Sequence, residues 1–140
     1  MIVFDALPPL PRALTESDLR RLGQLLGRSL RFRRKRTVGL RFVAEGEIRR
    51  LNRQFRGKDC AIDVLSFATS NLQGYLGDLA ICPSYAAREA KRRGVAMTEE
   101  LARLLVHGTL HLAGYDHASP AEERRMFSLQ ERVVARAFQV

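Results

Sequence analysis

The stretch His107-Gly108-Thr109-Leu110-His111-Leu112-Ala113-Gly114-Tyr115-Asp116-His117 holds all three histidines of this 140-residue chain. Residues four apart on a helix share one face, with Cβ atoms roughly 6 Å apart, so His107 and His111 are placed to bind one ion. Gly114 is placed to end the helix in a left-handed turn that returns His117 as a third ligand. Three neutral imidazoles leave the fourth position of a zinc-type ion open to water, which is typical of a catalytic site, whereas a structural site normally closes it with a fourth protein ligand. The pattern therefore predicts a catalytic metal centre on a helix and the turn after it.

The hydrophobic pattern on either side of this stretch predicts short strands first and mostly helices afterwards. Four segments read as strands, at residues 2–4, 38–43, 63–68 and 76–82. Helical spacing predicts five helices: after the N-cap Thr15, from about residue 48 to Gly57, over 83–93, after Thr98, and from a capping box at 119–122. We therefore expect a single α+β domain over residues 1–140, with helices layered on a small mixed sheet and the metal site in the C-terminal half.

The composition indicates an ordinary globular protein, with 46% hydrophobic and 28% charged residues. The start of the chain lacks the basic and apolar runs of a secretory signal, and no segment has the apolar length of a membrane-spanning helix. Cys60 and Cys82 are too few for a disulfide scaffold, so we expect two reduced thiols in a cytoplasmic protein without a membrane partner. Cysteine ligation of the metal is the lesser alternative, because histidine already supplies a sufficient set.

A net charge of +9, carried almost entirely by arginine, points to a polyanionic partner such as nucleic acid. Arginine presents a planar fork that matches phosphate oxygens. The densest basic patch covers residues 31–36, just before a predicted strand. The residues expected to hold a nucleic-acid backbone are Arg33, Arg34, Lys35, Arg36, Arg41 and Lys58. The alternative is a GC-rich coding bias or a solvated charged face.

The spacing of the histidines equals that of the metzincin proteases, whose motif is His-Glu-x-x-His-x-x-Gly-x-x-His. The glutamate that serves those proteases as general base is replaced here by Gly108, which carries no acid. A protease mechanism that needs this carboxylate is therefore disfavoured. Glycine inside a helix also costs about 1 kcal/mol relative to alanine, which suggests that another group packs closely against it.

The whole stretch resembles the signature of the YbeY family of metal-dependent endoribonucleases, the bacterial ribosomal-RNA maturation factors. Three further blocks resemble family motifs and occur in the family's order: Leu51-Asn52 with Phe55-Arg56-Gly57-Lys58-Asp59, Asp63-Val64-Leu65-Ser66-Phe67, and Leu76-Gly77-Asp78-Leu79. The histidine block is a highly specific signature of the family. Each of the other three blocks is weak evidence by itself, but together they are strong evidence. Ile62 stands where threonine is usual and Ala68 where proline is common, and the following loop is short. These departures are expected to change the shape of the substrate groove and not the metal site.

The resemblance implies a zinc-dependent hydrolase of single-stranded RNA that acts in ribosomal-RNA processing, at the 3′ end of 16S RNA, and in ribosome quality control. It implies one zinc per chain on the three histidines, Arg56 as a catalytic residue near the metal, and the ribosomal subunit or ribosomal proteins as partners. Three imidazoles also suit nickel, copper or iron. Asp116 is the second candidate catalytic residue, as an orienting acceptor or a proton carrier, and its alternative is a helix-end turn residue.

Two rival functions share these features. One is a non-catalytic RNA- or ribosome-binding module that the metal only braces, and the other is a metzincin-like peptidase in which Asp116 replaces the missing base. The sequence leaves open whether water or the 2′-hydroxyl of the RNA is the nucleophile.

Overall fold

The computed structural model describes residues 1–69, 72–116 and 118–138, which form four strands and five α-helices. The predicted metal ligand His117 lies outside the described residues. In chain order the elements are β1 (Ile2–Ala6), α1 (Glu16–Ser29), β2 (Arg36–Phe42), α2 (Glu45–Arg56), β3 (Val64–Ala68), a short 3₁₀ turn (Leu72–Gly74), β4 (Tyr75–Ile81), α3 (Pro83–Arg93), α4 (Met97–Leu112) and α5 (Pro120–Phe138).

The four strands form one mixed sheet in the order β1-β2-β4-β3. Strands β1, β2 and β4 run parallel, and β3 lies antiparallel at the edge beside β4. The parallel pairs need helical crossovers, whereas β3 and β4 are joined by a short connection, as their antiparallel pairing permits. The predicted α+β class with a small mixed sheet is confirmed.

Side chains alternate across the strands, so the sheet packs helices on both faces. The larger core lies between one face and helices α1, α4 and α5, where Leu40 and Leu79 meet Leu22, Leu105 and Val133. A smaller core lies on the other face, beneath α2; it is built from Ile48, Leu51, Leu65, Ala80 and Cys82. Helix α4 packs on the sheet at β3 and β4 and is flanked by α3 and α5, and its C-terminal part carries the site described below.

Most predicted helix ends are confirmed. Thr15 caps α1 in a reciprocal capping box with Asp18, and Gly57 ends α2 in a left-handed conformation. The hydroxyl of Ser119 accepts from the backbone N–H of Glu122 at 3.2 Å at the start of α5. The predicted start of α4 was wrong: the helix begins at Met97, and the Thr98 hydroxyl donates to the Ala13 carbonyl instead of capping.

The helices found within 1–69, 72–116 and 118–138 are all too short or too polar to cross a membrane.

Candidate active site

Helix α4 carries the histidine pair over the sheet, and Gly108 lets it approach closely. A Cβ atom built at Gly108 would lie 2.7 Å from Leu79 Cδ2 and 3.2 Å from Ser66 Oγ, so a side chain here would collide with the sheet. The close packing expected from a mid-helix glycine is confirmed. The metzincin glutamate has no room at this position.

The two imidazoles of α4 converge through their outer nitrogens. His107 Nε2 lies 3.2 Å from His111 Nε2, and the rings meet edge to face at an interplanar angle of 81°. Both side chains are half-buried. The helix ends at Leu112, and Gly114 follows with φ of 102°, in the left-handed region that the sequence predicted.

The inner nitrogens of both rings bond to protein groups that determine the tautomers. His111 Nδ1 lies 3.1 Å from the carbonyl oxygen of Tyr115, which only accepts, so Nδ1 carries the proton. His107 Nδ1 lies 2.9 Å from Gln130 Oε1, and the amide nitrogen of Gln130 donates to Glu131, which orients the amide. With the proton on Nδ1, Nε2 is the nitrogen through which a neutral imidazole binds a metal, and the Nε2 atoms of the two rings lie side by side.

This arrangement fits a metal ion. Two zinc–nitrogen bonds of about 2.05 Å at a tetrahedral angle separate their nitrogens by about 3.3 Å, close to the 3.2 Å between the histidine nitrogens. Orienting a ligand histidine through its other nitrogen is common at metal sites, and here Gln130 and Tyr115 do so. Across the described ranges, no three His, Cys, Asp or Glu side chains are grouped to hold a metal. The described part of the predicted metal site is thus the pair His107 and His111.

The histidine pair lies in the wall of a cavity of 780 Å³ between α4, α5, β3 and the end of α2. Both predicted catalytic residues, Arg56 and Asp116, line the same cavity. Arg56 is an exposed residue in the last turn of α2, and Asp116 is an exposed residue just after the Gly114 turn. The fold therefore brings together residues that are 60 positions apart in the chain.

Two arginines and a buried glutamate that the sequence analysis did not single out also line this cavity. Arg103, 15% exposed, binds Glu131 through two of its nitrogens at 2.8 and 2.9 Å. Glu100, 3% exposed, lies 3.6 Å from both Arg93 and Arg103 without a hydrogen bond to its Oε1. The only sequence signal for this cluster is the i,i+3 spacing of Glu100 and Arg103 on α4.

The charged groups in this cluster shift one another's pKa values. Burial raises the pKa of Glu100, and the two arginines partly offset this effect. The hydrogen bond from Arg103 lowers the pKa of Glu131 and raises that of the Arg103 guanidinium. Arg103 thus has its donors committed to carboxylates. Within the described residues, Arg93 has only the 3.6 Å ion pair with Glu100. Its guanidinium is therefore better placed than that of Arg103 to bind an anion in the cavity.

Asp63 is a further carboxylate in the cavity wall, just before β3. Burial raises its pKa, while the backbone N–H of Val64, which donates at 2.8 Å, and the nearby His107 act in the opposite direction. The sequence placed Asp63 only in a family-like strand motif. Its position beside the histidines depends on the packing of β3 against α4.

The predicted basic RNA-binding residues occupy other surfaces. None of these six described residues lines the histidine cavity: Arg33, Arg34, Lys35, Arg36, Arg41 and Lys58. The first three lie in the loop between α1 and β2, and Arg36 stacks on Phe32 with its guanidinium carbon 5.0 Å from the ring centre. Arg41 sits on the α2 side of the sheet, in register with Ala80. Their role in RNA binding stays a prediction.

The fold and this site define a class: small α+β proteins with a histidine centre on a helix that faces an arginine-lined cavity. Within that class the chain belongs to the YbeY endoribonuclease family, because the family model described as Endoribonuclease YbeY matches residues 10–137.

Relatives and a solved structure agree with this assignment. The chain is 46% identical to the Endoribonuclease YbeY of Aromatoleum aromaticum over 96 residues, which are 69% of this chain and 62% of that protein. Its identity to that of Bordetella pertussis is also 46%, over 71% of this chain and 64% of the relative. The chain thus spans less than two thirds of these two relatives. The Thermobifida fusca protein of the same name is 38% identical over 86% of this chain and 84% of its own length.

The fold is similar to the solution structure of TM1509 from Thermotoga maritima. The TM-score is 0.67 at 29% sequence identity, and the match covers 99% of this chain and 90% of that one. The likeness therefore extends over nearly the whole chain, including the helices that carry the site.

Proposed function

We propose that this protein is a zinc-dependent endoribonuclease that cleaves phosphodiester bonds of single-stranded RNA during ribosomal-RNA processing in the cytoplasm. The observation that supports this most is the convergence of the Nε2 atoms of His107 and His111, 3.2 Å apart, in an arginine-lined cavity. The membership of the YbeY endoribonuclease family supports the same reaction.

His107 and His111 would hold the ion through Nε2, and His117 is proposed as the third ligand. A zinc ion supplies Lewis acidity toward a phosphoryl oxygen and toward water. Gln130 and Tyr115 hold the two rings in the tautomer that leaves Nε2 unprotonated. In this tautomer each ring presents Nε2 as the nitrogen that would bind the cation.

The cationic walls would hold the RNA. Arg56 is proposed to donate hydrogen bonds to the scissile phosphate, where negative charge develops during cleavage. Arg93, which lines the same cavity, would contact a neighbouring phosphate. Asp116 is proposed to move a proton at the cleaved bond or to orient a ligand, and the ribosomal subunit is the proposed setting for the reaction.

The test is a cleavage assay on a short single-stranded RNA at low salt, with the protein as purified, after chelation, and after zinc is returned. Cleavage should disappear on chelation, return with zinc, and be absent from His111→Ala. Zinc binding, measured by calorimetry, should be lost in the same variant. Undiminished cleavage by metal-free protein would refute the proposal.

A matched pair of arginine variants tests the cavity itself. Arg56 and Arg53 are both exposed on α2, but only Arg56 lines the cavity. A hydrogen bond to a charged group is worth about 1.5–3 kcal/mol, so Arg56→Ala should lower kcat/KM roughly 10-fold to 100-fold. Arg53→Ala should change it far less. Tight RNA binding without any cleavage would instead favour the binding module.

A further inference from the structure

Phe127 is an exposed aromatic residue on the wall of the histidine cavity. It is 61% exposed, one of only a few large hydrophobic side chains so placed among the described residues. Helix α5 packs against the core through a stripe that includes Met126, Leu129 and Val133. Phe127 lies at the border of that stripe and takes no part in the core, so packing of the helix does not account for a phenyl ring at this position.

The position of Phe127 on α5 places it near the groups that organise the site. Gln130 and Glu131 follow it by three and four residues, which puts all three on neighbouring parts of one helix face. Gln130 accepts from His107 Nδ1 at 2.9 Å, and Glu131 binds Arg103. The ring is therefore about one helical turn from the residue that orients a proposed metal ligand.

The surroundings of the ring match one kind of ligand. Proteins that bind single-stranded nucleic acid combine cations that follow the phosphates with aromatic rings on which bases stack. The cavity supplies Arg56 and Arg93 for phosphates and Phe127 for a base. A purely anionic ligand such as free phosphate would gain nothing from contact with the ring, and a purely apolar ligand would leave the positive charges of the arginines without a counter-charge.

We propose that Phe127 stacks on a nucleobase of single-stranded RNA and so positions the adjoining phosphodiester at the histidine pair. This inference rests on the proposed function, and it adds a substrate-positioning residue to it. A phenyl ring that only stacks makes no hydrogen bond to base edges, so it selects an unpaired base of any identity over one held in a duplex.

The experiment measures kcat and KM for cleavage of a short single-stranded RNA by Phe127→Ala and Phe127→Tyr. Loss of one stacked base should raise KM roughly 5-fold to 100-fold, with a much smaller change in kcat. Tyrosine keeps the aromatic face and should restore most of the loss. Leu7→Ala is the control, because Leu7 is a similarly exposed apolar side chain, at 58%, that lies outside the cavity.

Abasic substitutions in the RNA give a readout that a merely structural role would not move. The missing base is moved along the strand, one position at a time. At one position its removal should raise the KM of the unaltered protein by the same factor as Phe127→Ala does, and it should leave the KM of Phe127→Ala unchanged. Metal-dependent cleavage with an unchanged KM in Phe127→Ala would overturn the stacking role alone. Absence of both RNA cleavage and RNA binding in the unaltered protein would overturn the proposed function, and this inference with it.

Discussion

Replacing Gly108 by alanine should destabilise the protein, although alanine is the better helix former. The new Cβ atom would lie 2.7 Å from Leu79 Cδ2 and 3.2 Å from Ser66 Oγ. Leu79 is only 1% exposed, in the larger core, so its methyl group has no open space to move into. The helix and the strand would have to separate, or the leucine would have to leave its preferred rotamer.

The magnitudes decide the sign of this effect. Alanine gains about 1 kcal/mol over glycine in a helix interior. Overpacking a buried site costs about 1–3 kcal/mol, and a 2.7 Å contact with a buried methyl group belongs in the upper part of that range. We therefore expect Gly108→Ala to lower the free energy of unfolding by about 1–2 kcal/mol.

Urea denaturation followed by circular dichroism measures this change, with Gly46→Ala as the matched control. Gly46 lies in helix α2 with nothing within 4 Å of its built Cβ, so alanine there should stabilise by about 0.5 kcal/mol. In a Leu79→Ala background the penalty at Gly108 should disappear, because the colliding methyl group is gone. A Gly108→Ala protein as stable as Gly46→Ala would refute the packing argument.

Two further predictions concern charge. The Arg103 guanidinium holds the pKa of Glu131 below its ordinary value of 4.5, so this pair stabilises the fold above that pH and loses its effect as pH falls through the lowered value. Glu131→Gln should therefore lower the free energy of unfolding by about 1 kcal/mol at neutral pH. At acidic pH, the melting temperature of this variant should depend less on pH than that of the unaltered protein, and an equal pH dependence in the two proteins would contradict this. Arg93→Gln should weaken RNA binding and reduce the slope of log affinity against log salt by about 0.7, the value for one phosphate contact on a single strand. Titrations at several salt concentrations measure that slope, and an unchanged slope would show that Arg93 touches no phosphate.

The local part of the site was predictable because helical geometry relates sequence spacing directly to space. The four-residue step between His107 and His111 puts both side chains on one face, and their nitrogens do converge. The positive φ of Gly114 and the tight packing at Gly108 followed from the special conformational and steric properties of glycine. The fold class followed from the period of the hydrophobic pattern, and it is confirmed.

The distant part of the site was not predictable in the same way. Gln130 orients His107 from α5, and Asp63 reaches the cavity from the start of β3. Gln130 has no local pattern that marks it, and the motif that contains Asp63 does not show that this carboxylate lies beside the histidines. The start of α4 was misplaced for a related reason, since Thr98 uses its hydroxyl in a contact with Ala13, 85 residues away along the chain.

By itself, the sequence determined the class of fold, the pair of histidines on one helix face and the turn at Gly114, since each depends on backbone geometry within a few residues. The family resemblance had already placed Arg56 near the metal. Only the tertiary structure showed that Arg93 and Arg103 also line the cavity and that the densest basic run, residues 31–36, lies on another surface. The cavity forms where α2, α4, α5 and β3 pack together. The burial of apolar side chains drives this packing, and because that force is non-directional, the sequence pattern does not show which distant residues will meet.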